Sequence, residues 1–272
     1  MRTGGAPPTV LPASVPWGQV AIAALSVWWV FITMGIATVT LPAHVVDRLG
    51  YGETELGLVA MAFGVATVLS RIGVARWLAG HSAWRAQAAA AFGYAACLAG
   101  TAFAGELWVL VLLRIAAGAC EGVFFVSASA AVARAVPPHR LGAALSAISI
   151  ALFGGIAIGP FIGDLLVDDG PALAWIVAAG MAVLASLLVL PSSLRSRSPA
   201  ARSRPPPARS ASHGARVVAL WAAIVMMLGT IGYGGFQSLL PLLATGLGLD
   251  GVGAVFAVYA IVSLGVRIAL AA

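Results

Sequence analysis

Arg114 and Glu121 lie seven residues apart in the apolar run LLRIAAGACEG, residues 112–122. On a helix turning about 100° per residue, such positions fall on one face, about 10 Å apart along the axis. A carboxyl group placed there can take up and release a proton, and its proton affinity depends on its hydration and on how near a cation stands. A charge facing lipid at mid-membrane costs upward of about 2.5 kcal/mol, so this face is expected to look into protein or a water-filled cavity. Gly118 and Gly122 share the face, and a Gly-x-x-x-Gly surface is what closely packed membrane helices present. The chemistry expected of Arg114 and Glu121 is proton handling coupled to a conformational change. The structural alternative is an ion pair that neutralises itself or locks helix to helix.

Gly155, Gly159 and Gly163 form a second small-residue stripe, recurring every fourth position, and Pro160 within it lacks a backbone donor. The stripe predicts a close helix contact, either static or acting as a hinge or seal. Cys97 and Cys120 sit inside apolar runs and read as small packing residues, not as a disulfide or metal site. No metal, no cofactor and no catalytic residue is predicted. The chain has no lysine, no phosphate loop, no His-Glu-x-x-His and no Gly-x-Ser-x-Gly, which argues against an enzyme.

These groups must be positioned by elements that lipid tolerates. Of 272 residues, 61% are hydrophobic and 9% charged, against roughly 25% charged in a typical soluble domain. Eight apolar stretches reach membrane-spanning length: roughly 18–42, 54–76, 84–104, 107–133, 141–167, 172–191, 216–244 and 251–272. They are too long and too uniformly apolar for membrane strands, and open sheets are excluded because lipid cannot satisfy a free edge. The fold class expected is an all-α membrane protein. The first 16 residues form a polar, Pro-broken tail without a clear signal-peptide cleavage site.

Charge then sets the orientation. With a cytoplasmic N-terminus, one side collects Arg2, Arg71, Arg76, Arg85, Arg134, Arg140, the series from Arg195 to Arg216, and Arg267. The other holds Asp47, Glu53, Glu55, Glu106, Asp164, Asp168, Asp169 and Asp250, with Arg48 as its base. This is the positive-inside pattern, and it removes the basic balance as a sign of nucleic-acid binding, since the arginines are spread over separate loops. The stretch SSLRSRSPAARSRPPPARSASHGAR reads as a cytoplasmic linker, either a plain connector or one that leans on anionic headgroups.

Across that linker the chain repeats. Leu41-Pro42 and Leu240-Pro241 are 199 positions apart, Leu49-Gly50 and Leu247-Gly248 198, and the pairs Gly57/Gly253, Phe63/Tyr259 and Arg71/Arg267 196. Both copies begin on the same side, as parallel repeats about an axis normal to the membrane do. The first copy has six spans and the second two, so the chain is expected to be truncated by about four helices at its C-terminal end.

Two helical halves joined by a cytoplasmic linker resemble the major facilitator superfamily, and particular motifs resemble its proton-coupled drug exporters. Leu110, Arg114 and Gly118 match the span-four motif, with Ala117 where a glutamine is usual. GIAIGPFIGD in span five is similar to the Gly-x-x-x-Gly-Pro-x-x-Gly-Gly signature through Gly155, Gly159, Pro160 and Gly163, with Asp164 replacing the last glycine. SRIGVARWLAGHSAWR, taken as the loop between spans two and three, keeps Arg71, Gly73, Arg76, Gly80 and Arg85 of the superfamily's cytoplasmic motif but lacks its usual aspartate.

The resemblance implies a tail at 1–17, a six-helix bundle at 18–191, a linker at 192–215 and the first two helices of an incomplete second bundle at 216–272. It implies a central cavity lined by spans one, four and seven, with Trp28, Thr33, Thr38, Tyr233 and Gln237 as candidate lining groups. His44, also on span one, is expected among the outer headgroups. The function implied is proton-coupled efflux of small amphipathic or drug-like molecules by alternating access, from a multi-pass protein of the bacterial inner membrane. Its partners would be a small-molecule substrate, protons and the lipid bilayer, with no nucleic acid, and the full-length protein would be monomeric. Proton-coupled uptake of a metabolite and a non-transporting truncated protein are the alternatives.

Overall fold

Inside a bilayer a backbone has no partner but itself, so each apolar run closes its own hydrogen bonds as a helix. The computed structural model describes residues 16–195 and the isolated positions Gly214, Val217, Trp221, Val258, Val262 and Gly265. Tyr233, Gln237 and most of the expected linker and of the two spans after it lie outside the described residues. Among the described residues six α-helices follow one another: α1 (Trp17–Pro42), α2 (Glu53–Trp77), α3 (Ala83–Ala102), α4 (Leu107–Ala135), α5 (Leu141–Val167) and α6 (Pro171–Arg195). A π-helical turn, Ala43–Arg48, continues α1. The described residues contain no strand.

Local chemistry sets the breaks. Gly50 (φ +73°) and Gly170 (φ +107°) take the left-handed conformation that L side chains resist. Pro171 then begins α6, where a missing N–H costs nothing. The Gly52 amide donates to Glu55 Oε2 at 3.0 Å, tying the start of α2. Ser82 accepts from the Arg85 amide at 3.4 Å at the start of α3. The first six apolar ranges read from the sequence fall on these six helices, with α6 running one turn further, to Arg195.

Five of the helical segments, all except α3, are long and apolar enough to cross a membrane. The α3 helix is alanine-rich and 20 residues long, which at 1.5 Å per residue gives about 30 Å, a bilayer's hydrocarbon thickness. Alanine contributes little hydropathy but lets α4 and α6 approach α3 closely, and these are the two helices it packs on.

Contacts between helices follow a symmetric scheme. α1 packs on α5 and α6, α4 packs on α2 and α3, and α3 meets α6. Exchanging the first three helices with the last three leaves the scheme unchanged. Since α1 and α4 are separated by two intervening helices and run in opposite directions, the two triplets are related as an inverted repeat. Outside, Met61, Val68, Leu69 and Ile72 of α2 and Leu184 and Leu187 of α6 are exposed. A soluble monomer would not tolerate so continuous an apolar surface; lipid is its solvent, and the chain is an integral multi-pass membrane protein.

Candidate functional site

The inward stripe of α4 carries Leu110, Arg114, Ala117, Gly118, Glu121, Gly122 and Phe124, all buried. Arg114 is 6% exposed and Glu121 1%. Both point into the bundle, yet they do not pair. Glu121 instead holds Arg71 of α2, whose Nη2 lies 3.1 Å from both carboxylate oxygens, the one ion pair among the described residues. The correction has a plain geometric cause: seven residues of helix separate Arg114 and Glu121 by about 10 Å of axial rise, whereas α2 crosses α4 directly over the carboxylate.

Glycine makes that crossing possible. A Cβ on Gly118 would strike the Phe63 carbonyl, and one on Gly122 would strike Ser70 Oγ and come within 2.7 Å of the Thr67 carbonyl oxygen. The α2 backbone therefore lies in the groove those two residues leave, with Phe63, Thr67, Ser70 and Arg71 stacked along it. Thr67 Oγ1 donates to the Gly118 carbonyl at 3.0 Å. The Arg71 guanidinium also lies 5.3 Å from the Phe125 ring centre.

Arg114 is held differently. Its guanidinium lies 4.8 Å from the centre of the Phe63 ring and 5.7 Å from that of Trp175. Its buried Nε has no hydrogen-bond partner, and no described carboxylate is within ion-pair distance. Cation–π contacts of this kind are worth about 2 kcal/mol when desolvated. Among the described residues the bundle interior thus holds one paired carboxylate, one cation bound to it from α2, and one cation held by rings.

The profile of the Major Facilitator Superfamily matches residues 23–272. The chain belongs to the major facilitator superfamily. Over 94 residues it is 32% identical to the multi-drug resistance efflux pump PmrA homolog of Lactococcus lactis subsp. lactis (strain IL1403), covering 34% of this chain and 23% of that protein. Over 78 residues it is 37% identical to the multidrug resistance protein MdtG of Proteus mirabilis (strain HI4320) and to that of Dickeya zeae (strain Ech586), covering in each case 29% of this chain and 19% of the relative. The matched stretches thus span less than a quarter of each relative's length.

Seen as a member of this transporter superfamily, the chain departs from its sequence reading at several residues. The motif taken for a loop is mostly helix: Arg71, Gly73 and Arg76 belong to α2, Arg85 to the first turn of α3, and only 78–82, including Gly80, connects them. Arg71 is thereby drawn into the bundle, and the acid missing from the loop motif is supplied to it by Glu121 of α4. Gly73 and Gly80 have open space where a Cβ would stand. Arg85 Nε donates to the Ser193 carbonyl of α6 at 3.3 Å.

Among the candidate cavity residues, Thr33 is fully enclosed. It donates to the Val30 carbonyl at 2.6 Å and lies 3.2 Å from the Tyr94 hydroxyl, so it faces α3 and not an opening. Trp28 and Thr38 are half-buried; the Trp28 ring lies against Gly154, and Thr38 donates to Met34 of its own helix at 3.2 Å. His44, expected among headgroups, is completely buried, because the π-helical turn swings it between α6 and the α3–α4 connection. Cys97 and Cys120 are free thiols. Of the residues the sequence reading gave no part in the site, Phe63, Tyr94 and Trp175 matter most. Phe63 entered it only as a marker of the repeat, and Tyr94 and Trp175 not at all, because an aromatic on a membrane helix reads as packing.

At the opposite end of the α2–α4 seam, Arg134 donates to the Leu78 carbonyl at 2.6 Å and to the His81 carbonyl at 3.2 Å. It thereby caps the last turn of α2 from α4. Arg134→Ala is expected to cost about 1 kcal/mol and to speed amide exchange selectively at residues 78–82. Unchanged exchange there, measured by mass spectrometry, would contradict the capping role.

Proposed function

We propose that the protein exports small amphipathic or drug-like molecules in exchange for protons, by alternating access of two helical bundles about a midplane site. The observation that carries this reading is the Arg71–Glu121 pair, buried at a glycine-lined helix seam beside a second, unpaired cation. A proton arriving on Glu121 competes with Arg71 for the carboxylate. With the charge on Glu121 cancelled, Arg71, already 41% exposed, can extend to headgroup water as long basic side chains do. The α2–α4 seam then loses its lock and is free to slide along the grooves at Gly118 and Gly122. Loss of the proton to the cytoplasm restores the pair.

In this arrangement Gly155, Gly159, Pro160 and Gly163 form the matching seam of α5 on α1, and Arg71, Arg76, Arg85 and Arg134 mark the cytoplasmic face. Residues 1–16 are a cytoplasmic tail, 196–215, beyond the end of α6, a cytoplasmic linker, and 216–272 begin a second bundle that completes the substrate cavity with Trp28, Thr38, Tyr233 and Gln237. The membrane is a bacterial inner membrane. The outward direction and the substrate class follow the multidrug relatives. Protons serve as the driving ion because Glu121 is the buried acid available to carry one.

The test uses the full-length protein in proteoliposomes with ethidium as probe, following ethidium movement and the accompanying pH change together. Wild type is expected to move ethidium against its gradient when protons flow the other way. Glu121→Gln is expected to keep ethidium binding while proton-driven movement falls ~5–150-fold, the span of a coupling free energy of about 1–3 kcal/mol. Undiminished exchange in Glu121→Gln would overturn the proton-carrying role. Proton-driven uptake in place of export would reverse the direction.

A further inference from the structure

His44 is one of four histidines in the chain, and its two ring nitrogens are both engaged. Nδ1 lies 3.1 Å from Trp175 Nε1, and Nε2 lies 2.9 Å from the Ala104 carbonyl oxygen. An indole N–H can only donate and a carbonyl can only accept. Nδ1 must therefore accept from Trp175 while Nε2–H donates to Ala104, which makes the imidazole neutral with its proton on Nε2. The Arg114 guanidinium lies over the ring of the same indole, 5.7 Å from its centre. One aromatic side chain thus touches a titratable group at the end of α1 and the unpaired buried cation of α4.

The backbone at this point is also unusual. Residues 43–48 form a π-helical turn, with the Leu49 amide bonding back five residues to the His44 carbonyl at 3.1 Å; such turns cluster at functional sites. Beside it lies a cavity of about 480 Å³ lined in part by Pro42, Ala43, Asp47, Arg48, Asp168 and Pro171. Pro171 stands one helical turn before Trp175, and Ala43 immediately precedes His44. The imidazole itself is fully buried and does not line the cavity, but the residue before it and the residue one turn before its indole partner both do. The charged groups at this end of the chain's helices are Asp47 and Arg48 on the same turn as His44, Glu53 and Glu55 where α2 begins, Glu106 before α4 and Asp168 at the α5–α6 turn, with Arg114 against the indole. Arg48 is anchored to the Ala102 carbonyl at 2.9 Å.

We infer that His44 is a second proton-binding residue, loaded from the outer face, whose protonation is transmitted through the Trp175 indole to Arg114. A proton on Nδ1 sets two donors, Nδ1–H and the indole N–H, against each other at hydrogen-bonding distance. The Nε2–H bond to Ala104 is unaffected, so the indole is the partner that must turn. Turning it removes one of the two ring faces holding Arg114 and frees the guanidinium to search for an anion. The nearest inward-facing acid on its helix is Glu121, two turns deeper and bound to Arg71. The inference rests on the proton-coupled reading above and assigns His44 as a positioning residue within it.

The experiment pairs a spectroscopic and a transport measurement on the full-length protein. Side-chain ¹⁵N spectra of histidine-labelled protein in nanodiscs, assigned by comparison with His44→Gln, report the imidazole without any substrate. They should show a neutral ring with Nδ1 unprotonated at alkaline pH and conversion to the doubly protonated ring on acidification. A His44 resonance unchanged between about pH 5 and 8, the range in which histidine usually titrates, overturns the proposal whether or not ethidium moves. Glutamine can accept from Trp175 and donate to Ala104 while carrying no charge, so His44→Gln preserves the fold's contacts. Its ethidium transport is expected to match wild type at alkaline external pH and to lose the external-pH dependence that wild type shows. Trp175→Phe, which keeps an aromatic face for Arg114 but has no N–H, is expected to flatten the profile in the same way. A wild-type pH profile in His44→Gln sinks the proposal. Proton-independent ethidium movement in wild type sinks instead the reading it rests on, and the imidazole spectrum then decides His44 alone.

Discussion

Gly159→Val is expected to abolish the folded six-helix bundle. At this position a Cβ would strike the Ile32 carbonyl and lie 2.5 Å from Gly35 Cα, and a Cβ on Gly35 would lie 2.7 Å from Gly159 Cα, the Ile156 carbonyl oxygen and Pro160 Cδ. Most of the opposing atoms are backbone, so no side chain can turn aside and the two helices would have to separate. Gly155, one turn earlier, is in the same position against the Trp28 carbonyl oxygen, 2.6 Å from where its Cβ would be. Separating α1 from α5 opens a seam along most of both helices, because these two make the most extensive contact in the bundle. Even Gly159→Ala should cost about 1–3 kcal/mol or more, the usual range for overpacking. Gly64 on α2 is the control. Nothing lies within 4 Å of its hypothetical Cβ, and Gly64→Ala should be neutral or stabilising by up to about 1 kcal/mol through helix propensity. Thermal unfolding and size-exclusion profiles of the detergent-purified variants would check this. A Gly159→Val protein that melts and elutes like wild type would mean that α1 and α5 are not in backbone contact.

The second large effect is an asymmetry. Arg71→Ala should destabilise the protein by about 3–5 kcal/mol, toward the lower end of the range for a broken buried pair because Arg71 is 41% exposed. Glu121→Gln should cost far less. The difference lies in what each substitution leaves behind. Removing the guanidinium strands a carboxylate that is 1% exposed and has no other ion-pair partner among the described residues. Removing the carboxylate charge leaves an arginine near the end of α2 that can reach headgroup water. The double substitution Arg71→Ala with Glu121→Gln should recover most of the loss, since replacing both partners of a buried pair is often nearly neutral. A double-mutant cycle on thermal stability reads this coupling directly. Equal and additive losses from the two single substitutions would show that the ion pair does not form in the folded protein.

Helices and their limits were legible in one dimension. Apolar length marks α1, α2, α4, α5 and α6, and glycine at positions 50 and 170 with proline at 137, 138 and 171 marks where they stop. The common face of Arg114 and Glu121 was legible for the same reason, because helical periodicity is a local property. Gly118, Gly122, Gly155, Gly159 and Gly163 showed as stripes, although not which helix each stripe receives. The limits of α2 were legible too, since the apolar range 54–76 already holds Arg71 and Arg76 although the arginine-rich motif around them resembles a loop. What one dimension did not show is that Arg71 turns toward α4 and meets the Glu121 carboxylate.

What the sequence by itself determined is the solvent, the number and order of the described helices, the polarity of the loops and the membership of the superfamily, all of which follow from composition, short-range pattern and motif. Only the tertiary structure decided that Glu121 binds Arg71 and not Arg114, that Thr33 faces α3, and that His44 is buried against Trp175. Each depends on how one helix is rotated about another, which is set by where a backbone settles into a glycine groove 50 or more residues away along the chain. Spacing along a single helix says which residues share a face, and it carries no information about what that face will meet.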